Sequence, residues 1–298
     1  MPIHIPPLSR RRFLQGSLAA TAGLMLPCPS WAAGRPVDAN RLALLADTHI
    51  WEHRDGSRHG TKPAENLVQA LAEILALDPR PAGVIFVGDT VYLEGHAADY
   101  AMFRGLIQPI REAGIPLHIA LGNHDQRANF WTAFPEIKPP HPLASSHQVA
   151  VVQTPLANWF LLDSLDKTNV TPGLLGQPQL DWLAEALDAR PGKPAILVAH
   201  HDLGTPMGLR DTAALLEVAA GRKQVQAYFY GHTHAWHVGK QRGVHLVNVP
   251  ATAWLFDPTQ PRGWLDVRFG DRGATLTLHA LDKKHPKHAQ RVDLAWQT

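Results

Sequence analysis

The chain carries a single cysteine, Cys28, in 298 residues. With no second cysteine there is no intrachain disulfide, and a metal site built from several thiolates is excluded. Long apolar runs are also missing. The most apolar stretch, Phe13 to Leu26, is interrupted by Gly16, Ser17, Thr21 and Gly23, and falls short of the roughly 20 apolar residues that span a bilayer. Charged residues reach only 18% against 45% hydrophobic, and no short repeat runs through the chain. Collagen-like, coiled-coil and disordered classes are thereby excluded. The length supports one sizeable domain or two small ones.

The N-terminus reads as an export signal rather than as structure. Ser9-Arg10-Arg11-Arg12-Phe13-Leu14-Gln15 resembles the twin-arginine motif S-R-R-x-F-L-K, altered only at its last position. An apolar stretch and a small-x-small site, Ser30-Trp31-Ala32, follow. Residues 1–32 are therefore expected to be a twin-arginine signal peptide, and residues 33–298 the mature chain. The twin-arginine machinery would export it already folded, to the periplasm or outside. Pro27 stands where a lipoprotein signal wants a small residue, so Cys28 gives no membrane anchor. Cleavage removes three arginines, leaving 25 Lys and Arg against 26 Asp and Glu, a net of −1 rather than +2. The mature chain offers no electrostatic case for binding nucleic acid or membrane. Cys28 leaves as well, so any metal must be held by His, Asp, Glu or Asn, and the chain has 18 histidines.

Five short apolar runs each end in polar residues. Leu42–Ala46 ends in Asp47-Thr48-His49, and Val84–Val87 in Gly88-Asp89. Leu117–Leu121 leads to Gly122-Asn123-His124-Asp125, Ala195–Ala199 to His200-His201-Asp202, and Val225–Tyr230 to Gly231-His232-Thr233-His234. Runs of this length and character predict strands buried on both faces. Between them, helical spacing places Leu67, Ala70, Leu71, Ile74 and Leu75 on one face. Tyr100, Phe103, Ile107 and Ile110 repeat the pattern, as do Leu180, Leu183, Ala184 and Leu187. The alternation predicts a mainly parallel α/β core. Gln148–Gln153 and Trp159–Asp163 flank a hairpin turn, and Val244–Val249, Trp264–Phe269 and Ala274–His279 predict further strands. No Ser/Gly-rich linker divides the chain, so one domain with two packed sheets and flanking helices is expected.

Every polar cluster stands at a strand end, the edge where open α/β sheets bind ligands. Singly, each is an ordinary cap or turn. Together, Asp47, His49, Asp89, Asn123, His200, His232 and His234 supply hard oxygen and borderline nitrogen donors. That set suits Zn, Mn, Fe or Co. A pair of such ions about 3.5–4 Å apart needs a bridging ligand, which a carboxylate can be, and would lower the pKa of a shared water and neutralise phosphoryl charge. A neighbouring histidine can protonate the leaving oxygen.

The series Asp47-x-His49, Gly88-Asp89, Gly122-Asn123-His124-Asp125, His200 and Gly231-His232-x-His234 resembles the calcineurin-like metallophosphoesterase superfamily. The segment Gly173-Leu174 through Gln179-Leu180-Asp181-Trp182-Leu183 is similar to the branch of class III cyclic-nucleotide phosphodiesterases and glycerophosphodiesterases. The resemblance implies an αββα sandwich of two mixed sheets flanked by helices, with the metal site at the C-terminal ends of the strands. It implies two divalent or mixed-valence ions, of Fe, Mn, Zn or Co. Asp47, His49 and His234 would hold the first, and Asn123, His200 and His232 the second, with Asp89 bridging. His124 would act as the general acid, oriented by Asp125. The implied activity is hydrolysis of a small phosphoester, a cyclic-nucleotide or glycerophosphodiester type of diester rather than a monoester, by a metal-bridging hydroxide. The alternatives are an acid-phosphatase kind of monoesterase and a non-catalytic metal and phosphate binder.

Two positions depart from the pattern. Asp202 stands where the class III branch has the proline of His-Pro, and His200 rather than His201 is taken as the ligand because it directly follows the strand. Tyr92 has the spacing of the iron-binding tyrosinate of purple acid phosphatases, yet those enzymes lack the His of Asp-x-His, so Tyr92 is expected to pack beside the ligands. Arg127 is a candidate phosphate ligand or else the partner of a surface acid. Trp51, Trp236 and Trp254 are candidates to stack on a nucleobase or line a leaving-group pocket, or else are ordinary rim or core tryptophans. His53, His59 and His96 are expected to be solvated loop residues.

Overall fold

Strand β1 (Val37–Leu45) shows how the chain is layered. Leu42 and Leu44 point into one buried layer and Ala43 and Leu45 into another, as the two-residue period of a strand requires. A computed structural model describes residues 35–137, 143 and 146–297; the proposed signal peptide, residues 1–32 with Cys28, lies outside the described residues.

After β1 come helix α1 (Pro63–Ala76), strand β2 (Arg80–Val87), helices α2 (Ala97–Leu106) and α3 (Gln108–Glu112), strand β3 (Leu117–Ala120) and helix α4 (Arg127–Ala133). Strands β4 (Ala150–Gln153) and β5 (Asn158–Leu161) form a hairpin, followed by helix α5 (Gln177–Asp188), strand β6 (Ala195–Val198), helix α6 (Thr212–Ala220) and strand β7 (Val225–Tyr230). The described chain closes with β8 (His237–Gln241), β9 (Val244–Asn248), β10 (Gly263–Gly270), β11 (Gly273–Ala280) and β12 (Arg291–Ala295).

Two six-stranded sheets result, ordered β12-β11-β10-β1-β2-β3 and β4-β5-β6-β7-β9-β8. Both are mixed. The strands β1, β2 and β3 are parallel, as are β5, β6, β7 and β9, while antiparallel strands complete each sheet. Leu42, Leu44, Ile85, Trp159, Ile196, Phe229 and Leu265 fill the space between the sheets. Phe86, Leu67, Ile74, Phe103 and Phe130 bury α1–α4 on the outer face of the first sheet, and Leu197, Tyr228, Leu180, Leu187 and Leu215 bury α5 and α6 on that of the second. The layers are those of an αββα sandwich.

The predicted helix through Tyr100 and Ile110 is two helices, broken at Ile107, where Pro109 near the start of α3 cannot donate a backbone hydrogen bond. Strands β8 and β12 are not foreseen by the sequence reading. Both are edge strands with polar, half-exposed faces, and edges carry little apolar alternation. Helices α4 and α6 are missed too: α4 buries only Phe130, and the Ala-rich α6 shows little contrast between faces.

Candidate metal centre

The polar loops after β1, β2, β3, β6 and β7 converge on one place. Gly88 precedes Asp89 with φ +82°, and a Cβ there would stand 2.6 Å from the His200 ring. At Gly122 a Cβ would collide with the Asp89 carboxylate, so glycine is what lets the β3 loop close over it. Asp47, His49, Asp89, His232 and His234 themselves have φ between +43° and +67°. Each left-handed non-glycine residue costs on the order of 1–3 kcal/mol, and such strain clusters at functional sites. Cross-loop backbone bonds hold it here: Asp47 N–H donates to Gly88 O (3.2 Å), His49 N–H to Asp89 O (3.0 Å) and Ala253 N–H to Asp47 O (3.0 Å).

Donor atoms form three groups among the described residues. Asp47, His49 and His234 place one ligand atom each within 4.8 Å of the others, and so do Asp89, His200 and His232; His49, Asp89 and His124 form a third that overlaps both. His234 Nε2 lies 3.1 Å from His49 Nε2 and 3.4 Å from Asp47 Oδ1. Asp89 stands between the groups, its Oδ2 3.1 Å from His200 Nε2 and 3.9 Å from both His49 Nε2 and His124 Nε2. His200 Nδ1–H donates to Val87 O (2.9 Å) and His234 Nδ1–H to Trp254 O (2.8 Å). These bonds turn each Nε2 toward the carboxylates, as metal-binding imidazoles are oriented. Asn123 Oδ1 is buried without a hydrogen-bond partner. A buried polar atom left unpaired is costly unless something else satisfies it, so an oxygen of this kind fits a cation.

Electrostatics point the same way. Burial alone would push the His200 imidazolium to lower pKa, but Asp89 at 3.1 Å and Asp47 outweigh it and raise it to about 9. Burial holds His49 well below the usual imidazole range, and burial with the neighbouring His200 takes His232 to about 4. Burial would raise the Asp89 carboxyl, yet His200, His124 and His49 around it bring it well below the ordinary value. The cluster therefore holds ionised carboxylates and neutral imidazoles, with one proton on His200 for a cation to displace.

Three candidate residues have other partners in the structure. Asp125 does not orient the His124 ring. Its carboxylate accepts from Gly122 N–H (2.9 Å), Thr90 Oγ1 (2.6 Å) and Tyr100 Oη (3.0 Å), tying the β2 and β3 loops together, and burial with Asp89 nearby raises it to about 6. Leu93 O, 3.2 Å from His124 Nδ1, is what holds the ring. Arg127 is not turned to a phosphate: its guanidinium forks onto the buried Asp163 (2.6 and 3.1 Å) and also donates to Leu165 O. Trp236 is packed in the layer between the sheets, its Nε1–H on Gln290 Oε1 (2.9 Å).

A cavity of about 520 Å³ opens over the donors. His49, Asp89, His124, His232 and His234 form its floor, and Tyr92, Leu93, Trp254, Phe256, Thr205, Met207, Thr233 and His59 its walls. Among the described residues, no lysine or arginine lines it. Trp254 stacks on His49 (4.1 Å between centroids, 24°), Tyr92 meets His49 edge-on (6.4 Å, 77°), and Trp51 backs Tyr92 at 5.9 Å. His59, expected to be solvated, packs on Trp254 at 4.5 Å; His53 is exposed, and His96 stands exposed before α2. His201 bonds Ser164 Oγ (2.8 Å) behind His232, and Asp202 fastens the following loop through Gly204 N–H (2.8 Å) and Thr205 N–H (2.7 Å). Thr205, Met207 and Phe256 carry no sequence signal, because only the fold brings them to the site. A slightly larger concavity, about 550 Å³ among Lys193, Lys223, Arg272 and Trp296, has none of the candidate ligands on its walls, so the chemistry assigns the site to the smaller one.

Residues 40–236 match the calcineurin-like phosphoesterase family, and residues 7–27 match the TAT (twin-arginine translocation) pathway signal sequence. The chain is 30% identical over 250 residues to the 3',5'-cyclic adenosine monophosphate phosphodiesterase CpdA of Pseudomonas aeruginosa, covering 80% of this chain and 85% of that protein. It is 27% identical over 255 residues to CpdA of Haemophilus influenzae, covering 80% and 88%. A dimetal phosphatase from Danio rerio has a similar fold, with a TM-score of 0.69 at 13% identity over 87% of this chain and 99% of that one.

Proposed function

The chain belongs to the calcineurin-like phosphoesterase family, and from that premise we propose that it hydrolyses phosphodiesters of the cyclic-nucleotide kind at a two-metal centre. It is a metallophosphoesterase, and its twin-arginine signal directs export to the periplasm or outside. No helix among the described residues is long and apolar enough to cross a membrane. Cleavage after Ala32 would leave residues 33–298 as the calcineurin-like domain.

The observation that carries the reading is the position of Asp89, a carboxylate between two donor groups at the floor of one cavity. Asp47, His49 and His234 would hold one ion, Asn123, His200 and His232 the other, with Asp89 shared. Divalent or mixed-valence ions of Fe, Mn, Zn or Co, when bound, lower the pKa of water and neutralise phosphoryl charge. His124 is placed to supply the remaining proton. Its ring is 21% exposed at the cavity floor, anchored at Nδ1 by Leu93 O with Nε2 turned inward. In hydrolysis the oxygen of water bonds to phosphorus, one P–O ester bond breaks, the departing oxygen takes a proton from His124, and the proton released from water restores His124. A cyclic diester and water thus give one monoester bearing a new hydroxyl. Asp125 serves indirectly, by fixing the loop that carries Asn123 and His124.

The cavity walls suit diesters: apolar and aromatic side chains (Leu93, Met207, Trp254 and Phe256) offer surface for a second ester group, and among the described residues no Lys or Arg lines them to add to the charge of a monoester dianion's site. The metal-loaded mature protein, given a 3',5'-cyclic nucleotide, a glycerophosphodiester and an alkyl monophosphate, should turn over the cyclic diester fastest. Faster phosphate release from the monoester would establish the monoesterase reading instead, and metal binding without turnover of any ester would establish a non-catalytic binder. Because the protein is exported, its substrates would be external diesters.

A further inference from the structure

Six large apolar side chains stand exposed among the described residues, and three of them, Leu93, Met207 and Phe256, line the cavity over the candidate metal centre. Single exposed apolar residues are ordinary, but a group gathered at one cavity signals a binding surface. This rim is built and held. The Phe256 ring stacks on the His234 imidazole, 4.3 Å between centroids at 22°, and is still 71% exposed, so one face rests on a candidate ligand and the other is open. Asp257 fixes the turn beside it, accepting from Thr259 N–H (2.9 Å) and Thr259 Oγ1 (2.8 Å). Met207 rides on the loop that Asp202 fastens, whose carboxylate also accepts from Thr205 Oγ1 (2.8 Å). Leu93 O accepts from the His124 ring, and the Leu93 side chain lines the cavity. A fixed aromatic face loses little freedom on binding, which is how preorganised subsites gain affinity.

We propose that Phe256, with Met207 and Leu93, forms a subsite for a flat, uncharged ring carried on an ester group of the substrate. The inference rests on the phosphodiester reading and deepens it to a substrate class: a monoanionic diester ending in a ring such as a nucleobase. Phosphate at the donor cluster places its ester group beside His234, and so beside the ring stacked on His234. Among the described residues no Lys or Arg lines the cavity, Arg58 standing behind its Tyr92 wall with the guanidinium 5.5 Å from that ring, so the apolar rim around Phe256 suits an uncharged group.

The test compares two cyclic diesters with the same scissile bond: a 3',5'-cyclic purine nucleotide and the same cyclic ribose phosphate with a methoxy group in place of the base. Hydrolysis is followed by phosphorus NMR on the metal-loaded mature protein. The wild type should favour the base-bearing ester in kcat/KM, and Phe256→Ser should cut that preference by roughly tenfold, the scale of losing one stacking partner. Phe256→Leu, which keeps apolar area without a flat face, should lose most of the preference, and Met207→Ser a smaller part. The ratio does not depend on the active fraction, so a poorly folded variant cannot imitate the result. Equal turnover of both esters by the wild type, or a preference that Phe256→Ser leaves intact, would overturn the subsite and leave the phosphodiester reading standing. A full preference kept by Phe256→Leu would overturn the flat ring. Glycerophosphocholine preferred over the cyclic nucleotide would mean that the aromatic walls read a cation. Turnover of none of these diesters would sink the phosphodiester reading, and the subsite with it.

Discussion

Replacing His124 by alanine isolates the proton transfer from everything else at the centre. The backbone N–H of residue 124 donates to Asp89 Oδ1 (2.8 Å), and alanine keeps that bond. The neighbouring donors owe their positions to Val87 O, Trp254 O and the cross-loop backbone bonds, so the cluster should retain its metals. What is lost is the ring between Leu93 O and the cavity floor. General acid catalysis contributes roughly 10²–10⁴-fold, about 3–5 kcal/mol of barrier at 1.36 kcal/mol per decade. A cyclic or glyceryl diester, whose alkoxide leaves poorly without a proton, should be slowed by that factor. Bis(p-nitrophenyl) phosphate should lose far less, because nitrophenolate leaves nearly unaided. Both kcat and kcat/KM must be measured, with metal content on the same sample, since weaker substrate binding would also lower kcat/KM. Equal losses on the two esters with metals retained would refute the proton donor and leave His124 as a group that positions phosphate. Loss of a metal equivalent would show that His124 is a ligand.

Three other outcomes follow from the same geometry. Tyr92→Phe should leave the visible spectrum of iron-loaded protein featureless and activity within about tenfold, as for a group beside the ligands; a purple protein that bleaches on substitution would make Tyr92 a ligand. Arg127→Ala should cost about 2–3 kcal/mol of stability in denaturant unfolding, because it strands the buried Asp163 with only backbone donors, and should leave the KM of the folded fraction unchanged; a large rise in KM with normal stability would mean that the guanidinium binds phosphate. Metal-depleted protein should have its highest Tm near pH 6.5. His49 and His232, held neutral by burial, bind fewer protons folded than unfolded, so stability falls as pH drops from about 6.5 toward 4. Asp125, raised to about 6, opposes this as one group against two. His200, raised to about 9, stabilises the fold fully below about 6.5 and loses that contribution as pH rises through 9. A Tm that climbs steadily from pH 6.5 to 9 would contradict the Asp89–His200 pairing.

What the sequence made legible was local. The parallel strands β6 and β7 are fully buried, and β1, β2 and β3 are buried where they approach the site, so all read as apolar runs that hand over to a polar cluster within one or two residues, and the run and the chemistry are seen together. The edge strands β8 and β12 lack that signal because one side of each faces solvent. At the site, the residues the sequence could not place are those whose partners are distant in sequence. Arg127 is claimed by Asp163, 36 residues on, Trp236 by Gln290, 54 residues on, and Asp125 by Thr90 and Tyr100 across the loops. No spacing rule exposes such pairs. Phe256 and Met207 are invisible for the opposite reason: nothing about an isolated Phe or Met in a loop distinguishes a cavity wall from an ordinary surface residue.

The central claim is a pair of cations held across Asp89, and metal stoichiometry tests it most directly. Active mature protein should contain two metal equivalents per chain, with activity lost to a chelator and restored by adding metal. Asp89→Asn keeps the shape of the side chain but removes the charge that two cations share, so that variant should lose at least one equivalent and most of its turnover. Two equivalents and normal turnover in Asp89→Asn would contradict the account.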